Sequence, residues 1–154
     1  MRSTLLRDFV AQAREANRIR FGDVRRLRRD ILPARIATRE EAELLIDLDR
    51  SVSTVDRGWS DYLVMTVRDF TIWGTPPIGV VDRDKAEWII AALSNGGVTK
   101  NGRAIARGVA AAAPHVADAL KAFARQPKAT MARRNDMTMT AANSPRLLIS
   151  LARP

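Results

Sequence analysis

One stretch of fourteen residues occurs twice in this chain, and the two copies begin 44 positions apart. Residues 33–46 read PARIATREEAELLI and residues 77–90 read PIGVVDRDKAEWII, with five positions identical. Each copy places a proline, a β-branched residue and a helix-capping residue before an amphipathic run. Because proline disfavours the continuation of a helix and the capping residue begins the next one, each copy marks a junction between helices. The repeat therefore constrains the chain to a helix–loop–helix unit that is used twice.

The two junctions predict where the second helix of each unit starts. Thr38 and Glu41 have the spacing of a capping box, in which the threonine hydroxyl accepts from the Glu41 amide and the glutamate reaches back. Asp82 takes the equivalent capping position in the second copy. We also expect the β-branched residues Ile36 and Val80, which precede these caps, to pair across the two loops.

Apolar spacing on both sides of the junctions extends each copy into a full unit. The units span about residues 23–52 and 59–93, and Asp23 is placed to cap the first helix of the first unit. Residues 59–73 carry apolar side chains around most of the helix circumference, which predicts the most buried helix of the chain. A separate helix is predicted before the repeat, over residues 4–17.

Further helices are predicted after the repeat. Residues 102–126 are alanine-rich with apolar residues at helical spacing, and Pro114 is expected to begin a new helix with His115 exposed in its first turn. Residues 127–154 contain few acids and are predicted to form a basic, poorly ordered tail. The sequence thus predicts an all-α domain over residues 1–126.

Composition excludes several classes of protein. The chain has no cysteine and one histidine, which excludes disulfides, thiolate metal sites and multi-histidine metal sites. No apolar run approaches the roughly 18 residues that a membrane-spanning helix needs. The first ten residues contain Arg7 and Asp8 and lack a signal-peptide core. We therefore expect a cytoplasmic protein without a membrane span.

The net charge of +9 is distributed unevenly along the chain. Residues 1–35 hold ten arginines and four acids, for a charge of +6, and residues 96–154 hold ten basic residues and two acids, for +8. Residues 36–95 hold six basic residues and eleven acids, for −5. The basic ends favour anionic partners, while the acidic centre is suited to pairing with the basic ends of the same chain or of a second copy.

Two helix–loop–helix units with a β-branched residue before the second helix resemble the EF-hand pair. An EF-hand loop needs oxygen ligands at positions 1, 3 and 5 and a glutamate at position 12, with glycine at position 6. With Ile36 or Val81 at position 8, the two loops place these residues at positions 1, 3, 5 and 12: Arg29, Ile31, Pro33 and Glu40 in the first loop; Gly74, Pro76, Ile78 and Lys85 in the second. Among these eight residues only Glu40 supplies a side-chain oxygen that suits calcium. The resemblance therefore implies the shape of an EF-hand pair without calcium binding, and we expect no other cofactor.

The helix order and the Ile-x-Thr-x-x-Glu-Ala pattern at residues 36–42 also resemble the TerB-like, tellurite-resistance helical domains of bacteria. This resemblance covers about residues 1–95. The resemblance implies a stress-associated module, and members of that family are associated with acidic metal sites. No acidic cluster in this chain matches such a site well enough for a ligand to be carried over.

Two rows of side chains are candidates for binding. Tyr62, Thr66, Asp69 and Trp73 lie on one side of the predicted Trp-rich helix and combine aromatic rings with polar groups, as binding grooves do. A buried, satisfied Asp69 among core aromatics is the alternative interpretation. The row predicts a protein partner or a second copy of the chain.

The second row consists of arginines on the predicted helix that follows Asp23. Several arginines on one helix favour phosphate and nucleic-acid binding. A solvated helix surface is the alternative, because the chain has no recognition-helix motif, and Asp23 and Asp30 flank the row. The residues of this row are Arg25, Arg26, Arg28 and Arg29.

No set of residues predicts a catalytic site. The single histidine has no local nucleophile or carboxylate, and the Gly-rich residues 96–102 lack the order of a phosphate-binding loop. Glu43 and Asp47 share a helix face, which fits a solvated surface or a metal or partner site. The sequence therefore predicts a non-catalytic interaction module, with a nucleic-acid-associated protein as the alternative.

Overall fold

A computed structural model describes residues 2–126 of the chain, and in this part helices account for most of the structure. The predicted all-α class is confirmed. The predicted poorly ordered tail, residues 127–154, lies outside the described residues. The elements are α1 Arg2–Ala16, β1 Arg18–Ile19, α2 Phe21–Arg26, a π-helical segment Leu27–Ile31 that continues α2, α3 Arg39–Ser51, β2 Thr54–Val55, α4 Arg57–Trp73, β3 Val80–Val81, α5 Arg83–Ser94, α6 Lys100–Ala112, β4 His115–Val116 and α7 Asp118–Ala124.

Helix α4 is the central element of the core, as its sequence predicts. It packs against α2, α3 and α6, while α5 packs against α3, α6 and α7. Trp59, Leu63 and Val67 form its fully buried stripe. Burying such large apolar side chains stabilises the fold by about 1.5–3 kcal/mol each, which makes this stripe the main source of stability along α4.

Two very short parallel bridges join pairs of helix starts. Strand β1 pairs with β2, and β3 pairs with β4, so that Val80 lies opposite His115. The predicted pairing of Ile36 with Val80 is therefore wrong. Ile36 buries its side chain in the core instead of joining a bridge.

The predicted caps at Thr38 and Asp82 are confirmed, while the predicted capping box differs in that Glu41 bonds the residue before the cap and not the cap itself. The Thr38 hydroxyl accepts a hydrogen bond from the Glu41 amide at 3.1 Å, and the Glu41 carboxylate accepts from the Ala37 amide at 2.7 Å. Asp82 accepts from the Lys85 amide at 3.0 Å. The sequence signature therefore locates the starts of α3 and α5 correctly.

The start of α2 differs from the prediction. Asn17 has a φ of 56°, which ends α1 and turns the chain into β1, so α2 begins at Phe21. Asp23 consequently lies inside the first turn instead of at the cap, and its carboxylate accepts from the Arg20 amide at 2.9 Å. The predicted cap at Asp23 is wrong because the two-residue strand before α2 leaves no periodic signal in the sequence.

The C-terminal helices are divided as predicted but with different boundaries. Helix α6 ends at Ala112, and Pro114 lies in the connection instead of beginning a helix. His115 is exposed on β4 and not in the first turn of a helix. Its backbone is used by the bridge to β3, which accounts for the extended conformation.

Candidate anion-binding site

A pocket of about 180 Å³ lies between α1 and the chain segment that runs from β1 into α2. One wall is contributed by α1 and is largely apolar, while the other wall carries arginines. The lining residues are Phe9, Gln12, Ala13, Ala16, Arg18, Arg20, Asp23 and Arg26. We refer to this hollow as the arginine pocket.

Local sequence explains how the arginines reach the pocket. Successive side chains of an extended segment point in opposite directions, so Ile19 enters the core while Arg18 and Arg20 point outward. The pairing of β1 with β2 holds this segment in place. The small side chains Ala13 and Ala16 on α1 leave room opposite the arginines.

Arg26 is held in position before any ligand arrives. Its guanidinium carbon lies 5.3 Å from the centre of the buried Phe9 ring, and one nitrogen donates to Gln12 Oε1 at 3.3 Å. A guanidinium that is already positioned loses less conformational entropy when it binds an anion. Phe9 and Gln12 therefore restrict the orientation of the Arg26 guanidinium.

The arginine pocket has an excess of positive charge. Within residues 2–126, Arg18, Arg20 and Arg26 form no ion pair with a carboxylate. Asp23 is the one acid in the wall, and its carboxylate already accepts from the Arg20 amide. Arginine stays protonated at all physiological pH values. Three guanidinium groups and one carboxylate leave the pocket with a net positive charge, which favours an anionic ligand.

The predicted arginine row is only partly brought together. Arg25 and Arg29 line a second hollow of about 340 Å³, which also includes Arg26 and therefore adjoins the arginine pocket. Arg28 points elsewhere, with its guanidinium 5.6 Å from the centre of the Tyr62 ring on α4. Residues two positions apart point to opposite sides of a helix, so Arg28 faces away from Arg26. The segment itself is π-helical, as the hydrogen bond from the Leu32 amide to the Leu27 carbonyl at 2.7 Å shows.

Arg18 and Arg20 were not among the predicted site residues. Their signal is the alternation of exposed and buried residues around Ile19, which marks a short extended segment. Three residues are too few for such a pattern to stand out in a sequence without the pairing partner, β2. Their contribution follows from the tertiary contact between α1 and the start of α2.

The candidate partner row on α4 does not form one exposed surface. Tyr62 and Thr66 are buried, whereas Trp73 is half exposed at the C-terminal end of the helix. Asp69 forms ion pairs with Arg35 at 2.8 Å and with Arg68 at 3.1 Å. Trp73 is thus the member of this row that presents an aromatic surface to solvent.

Two acids of α3 connect this helix to neighbouring elements, and a third pairs within the helix. Glu43 accepts from the Trp88 indole at 2.6 Å, and Asp47 pairs with Arg50 at 2.7 Å. Asp49 accepts from the Trp59 indole at 3.0 Å and also from Asn101 and Thr99. Among the described residues, no group of three potential metal-ligating side chains occurs.

Comparison with known proteins gives no relative for this chain. No protein-family model, curated protein or solved structure matches it. None of the helices within residues 2–126 has the length and apolar character needed to cross a bilayer. Any functional conclusion therefore depends on the geometry of the described residues.

Proposed function

We propose that this chain is a non-catalytic interaction module that binds an anionic side chain or chain end of a protein partner in the arginine pocket. The observation that carries the proposal is the convergence of Arg18, Arg20 and Arg26 on one pocket without an ion-pair partner among the described residues. Arginine provides paired N–H donors that match the oxygens of a carboxylate or phosphate.

The size of the pocket supports a single anionic group on a short stem. A volume of about 180 Å³ is smaller than the roughly 300–1,000 Å³ that is typical of sites for whole small molecules. The apolar wall of Phe9 and Ala13 suits the carbon atoms that carry such a group. A protein side chain meets both requirements while the rest of the partner covers the surrounding surface.

The pocket also lacks the arrangement that catalysis requires. Its polar side chains are guanidinium groups, the amide of Gln12 and the carboxylate of Asp23, so its lining holds no hydroxyl, thiol, amine or imidazole group that could act as a nucleophile. This composition supports binding over chemistry.

The proposal also includes the origin of the fold and the physiological role of the protein. We infer that α2–α3 and α4–α5 arose by duplication of an EF-hand-like unit and that the chain acts as a TerB-like, stress-associated module in a bacterial cytoplasm. The equivalent caps at Thr38 and Asp82 support the duplication. Deletion of the gene followed by growth under oxidative or metal stress tests the physiological part, and an unaltered phenotype counts against it.

Partner capture tests the proposed interaction. Proximity labelling in cells compares the wild type with R18Q/R20Q/R26Q and with a control that loses the same charge from exposed arginines outside the pocket, R57Q/R83Q/R107Q. We expect one set of labelled proteins to be lost from the first variant and retained by the control. Equal labelling by both variants contradicts the proposal.

Nucleic acid is the second candidate because one exposed aromatic ring lies beside the arginines. Phe21 is 60% exposed, and the Arg25 guanidinium carbon lies 5.9 Å from its ring centre. Stacking rings with adjacent arginines are typical of single-strand binding surfaces. A gel-shift assay with single-stranded DNA and RNA at low salt tests this candidate, and absence of a shift excludes it.

A further inference from the structure

A lysine of α5 is buried where a charged side chain requires a specific partner. Lys85 is the third residue of α5, and 3% of its surface is exposed. Its ammonium nitrogen donates to the carbonyl oxygens of Thr75 at 2.8 Å and Pro77 at 2.7 Å. A buried charge is stable only when it is hydrogen-bonded or paired, so these two carbonyls account for the position of the side chain.

The two carbonyls belong to the loop between α4 and α5, which has the spacing of a calcium-binding loop. Twelve residues run from Gly74 to Lys85, and Gly79 at position six has a φ of 78°. A calcium loop of helix–loop–helix type also has glycine at position six, and its position twelve supplies the side chain that reaches back to the ion. Lys85 occupies position twelve and reaches back in the same way.

The loop nevertheless lacks the side-chain ligands of a calcium-binding loop. Positions one, three and five hold Gly74, Pro76 and Ile78, which have no side-chain oxygen for a metal ion. Backbone carbonyls converge inside the loop instead, and they meet a cation that belongs to the chain. We propose that the α4–α5 loop is a cation-binding loop whose cation is the ammonium group of Lys85.

The first unit provides an independent comparison. Arg35 has a φ of 68° and lies three residues before the cap Thr38, as Gly79 lies three residues before Asp82. With this register, Glu41 corresponds to Lys85 and takes position twelve in place of Glu40.

Glu41 is also buried and turns back into its loop, where its carboxylate accepts from the Ala37 amide at 2.7 Å. Both loops are thus closed by the third residue of the following helix. The charge of that residue matches the backbone groups that it meets: a carboxylate faces an N–H donor, and an ammonium faces carbonyl acceptors.

The proposal predicts that the loop accepts a free cation when the lysine head is removed. In K85A the carbonyls of Thr75 and Pro77 lose their donor, and the truncated side chain leaves space beside them. Ammonium ion is the probe, since it has the same charge and donors as the lysine head. Tetramethylammonium is the matched control, because it has the same charge but no N–H donor.

Thermal unfolding of the wild type and K85A in chlorides of the two cations at equal ionic strength provides the test. We expect K85A to melt at a lower temperature than the wild type, and we expect ammonium to raise its melting temperature more than tetramethylammonium does. The wild type should respond equally to both salts, and calcium chloride should leave its melting temperature unchanged. An equal response of K85A to both cations, or a calcium-induced rise in the wild type, overturns the proposal.

A second variant gives a result even if K85A does not fold. K85M keeps an unbranched stem of similar length but has no cation. We expect amide hydrogen exchange at Gly79 and Val80 to become faster in K85M while exchange in α1 and α3 stays unchanged, because the loop loses two hydrogen bonds. Unaltered exchange at residues 79–80 contradicts the role of the ammonium group.

Discussion

Lys85 and Glu41 occupy the same place on their helices but experience opposite electrostatic conditions. The N-terminal turn of a helix carries a partial positive charge, which favours Glu41 and disfavours Lys85. Asp82 at the cap and Asp84 in the first turn of α5 offset part of this cost. A lysine at such a site is retained by its contacts with the loop carbonyls, which is why we assign the loop, and not the helix, as its structural partner.

The pH dependence of stability follows from the same residue. Burial lowers the pKa of the Lys85 ammonium below its usual 10.5, Arg39 acts in the same direction, and Asp82 opposes them. Below 10.5 there is consequently a pH range in which the unfolded chain holds a proton that the folded chain has released. Stability increases with pH across such a range, because the unfolded state binds more protons.

We therefore expect the free energy of unfolding of the wild type to rise relative to that of K85M as the pH approaches 10.5. Urea denaturation of both proteins from about pH 8 upward measures the difference, starting below the normal lysine range. The comparison with K85M removes contributions from other titrating groups. A difference that stays constant or falls with pH contradicts the sign of the shift.

The two helix caps give a prediction for single side chains. T38A and D82A each remove an acceptor for an amide in the first turn, so each should destabilise the fold by about 0.5–2 kcal/mol. D61A is the control, because Asp61 is exposed inside α4 and does not cap a helix. Urea unfolding curves provide the measurement, and losses no larger than that of D61A would show that the caps do not contribute.

At the scale of elements, the loops before α3 and α5 each have a residue with a positive φ angle three positions before the helix cap, but the identity of that residue differs. Arg35 and Gly79 both have positive φ angles, and glycine alone adopts this region without a steric cost. An alanine Cβ at position 79 would also lie 3.0 Å from the Trp73 ring. The second loop is therefore sensitive to any side chain at this position.

G79A should destabilise the protein by about 1–3 kcal/mol, which is the usual cost of a strained backbone residue. G22A is the matched control, since Gly22 lies in α2 with open space around its Cα, and alanine there should be neutral or slightly stabilising. Differential scanning calorimetry of both variants gives the comparison. Equal melting temperatures for the two variants would contradict this description of the loop.

Sequence patterns predict some elements of this fold better than others. Thr38 and Asp82 were located correctly because a capping residue has a local signature that needs no tertiary partner. The bridges were missed because two-residue strands have no periodicity. The π-helical segment at residues 27–31 has no local sequence signature either, and the contact of Arg28 with Tyr62 depends on how this segment packs against α4.

At the scale of the whole molecule, the candidate site also depends on contacts that have no local sequence signature. Arg26 was named from the sequence, but Phe9 and Gln12 position it through a contact between α1 and α2 that no local pattern encodes. The charge distribution predicted a basic N-terminal region correctly, and it did not predict which arginines converge. The arginine pocket is built from separate elements, so its geometry depends on how those elements pack. That packing depends on the whole core and not on any local stretch of sequence.

Screening by salt is a further property of the whole molecule. Part of the attraction of an anion to the arginine pocket comes from the positive charge of the surrounding chain, and added salt reduces this part. Contacts inside the pocket depend on Arg18, Arg20 and Arg26 themselves. A charge-matched control variant therefore separates specific binding from general attraction.

An NMR titration of the isotopically labelled protein with phenyl phosphate tests the arginine pocket most directly. We expect amide shifts confined to α1, β1 and α2, and binding at least about tenfold weaker in R26Q, since one charge-assisted hydrogen bond contributes about 1.5–3 kcal/mol. The R57Q/R83Q/R107Q variant should bind like the wild type. Shifts spread over the whole surface, or equal weakening in R26Q and the control variant, would contradict the assignment of this pocket as the binding site.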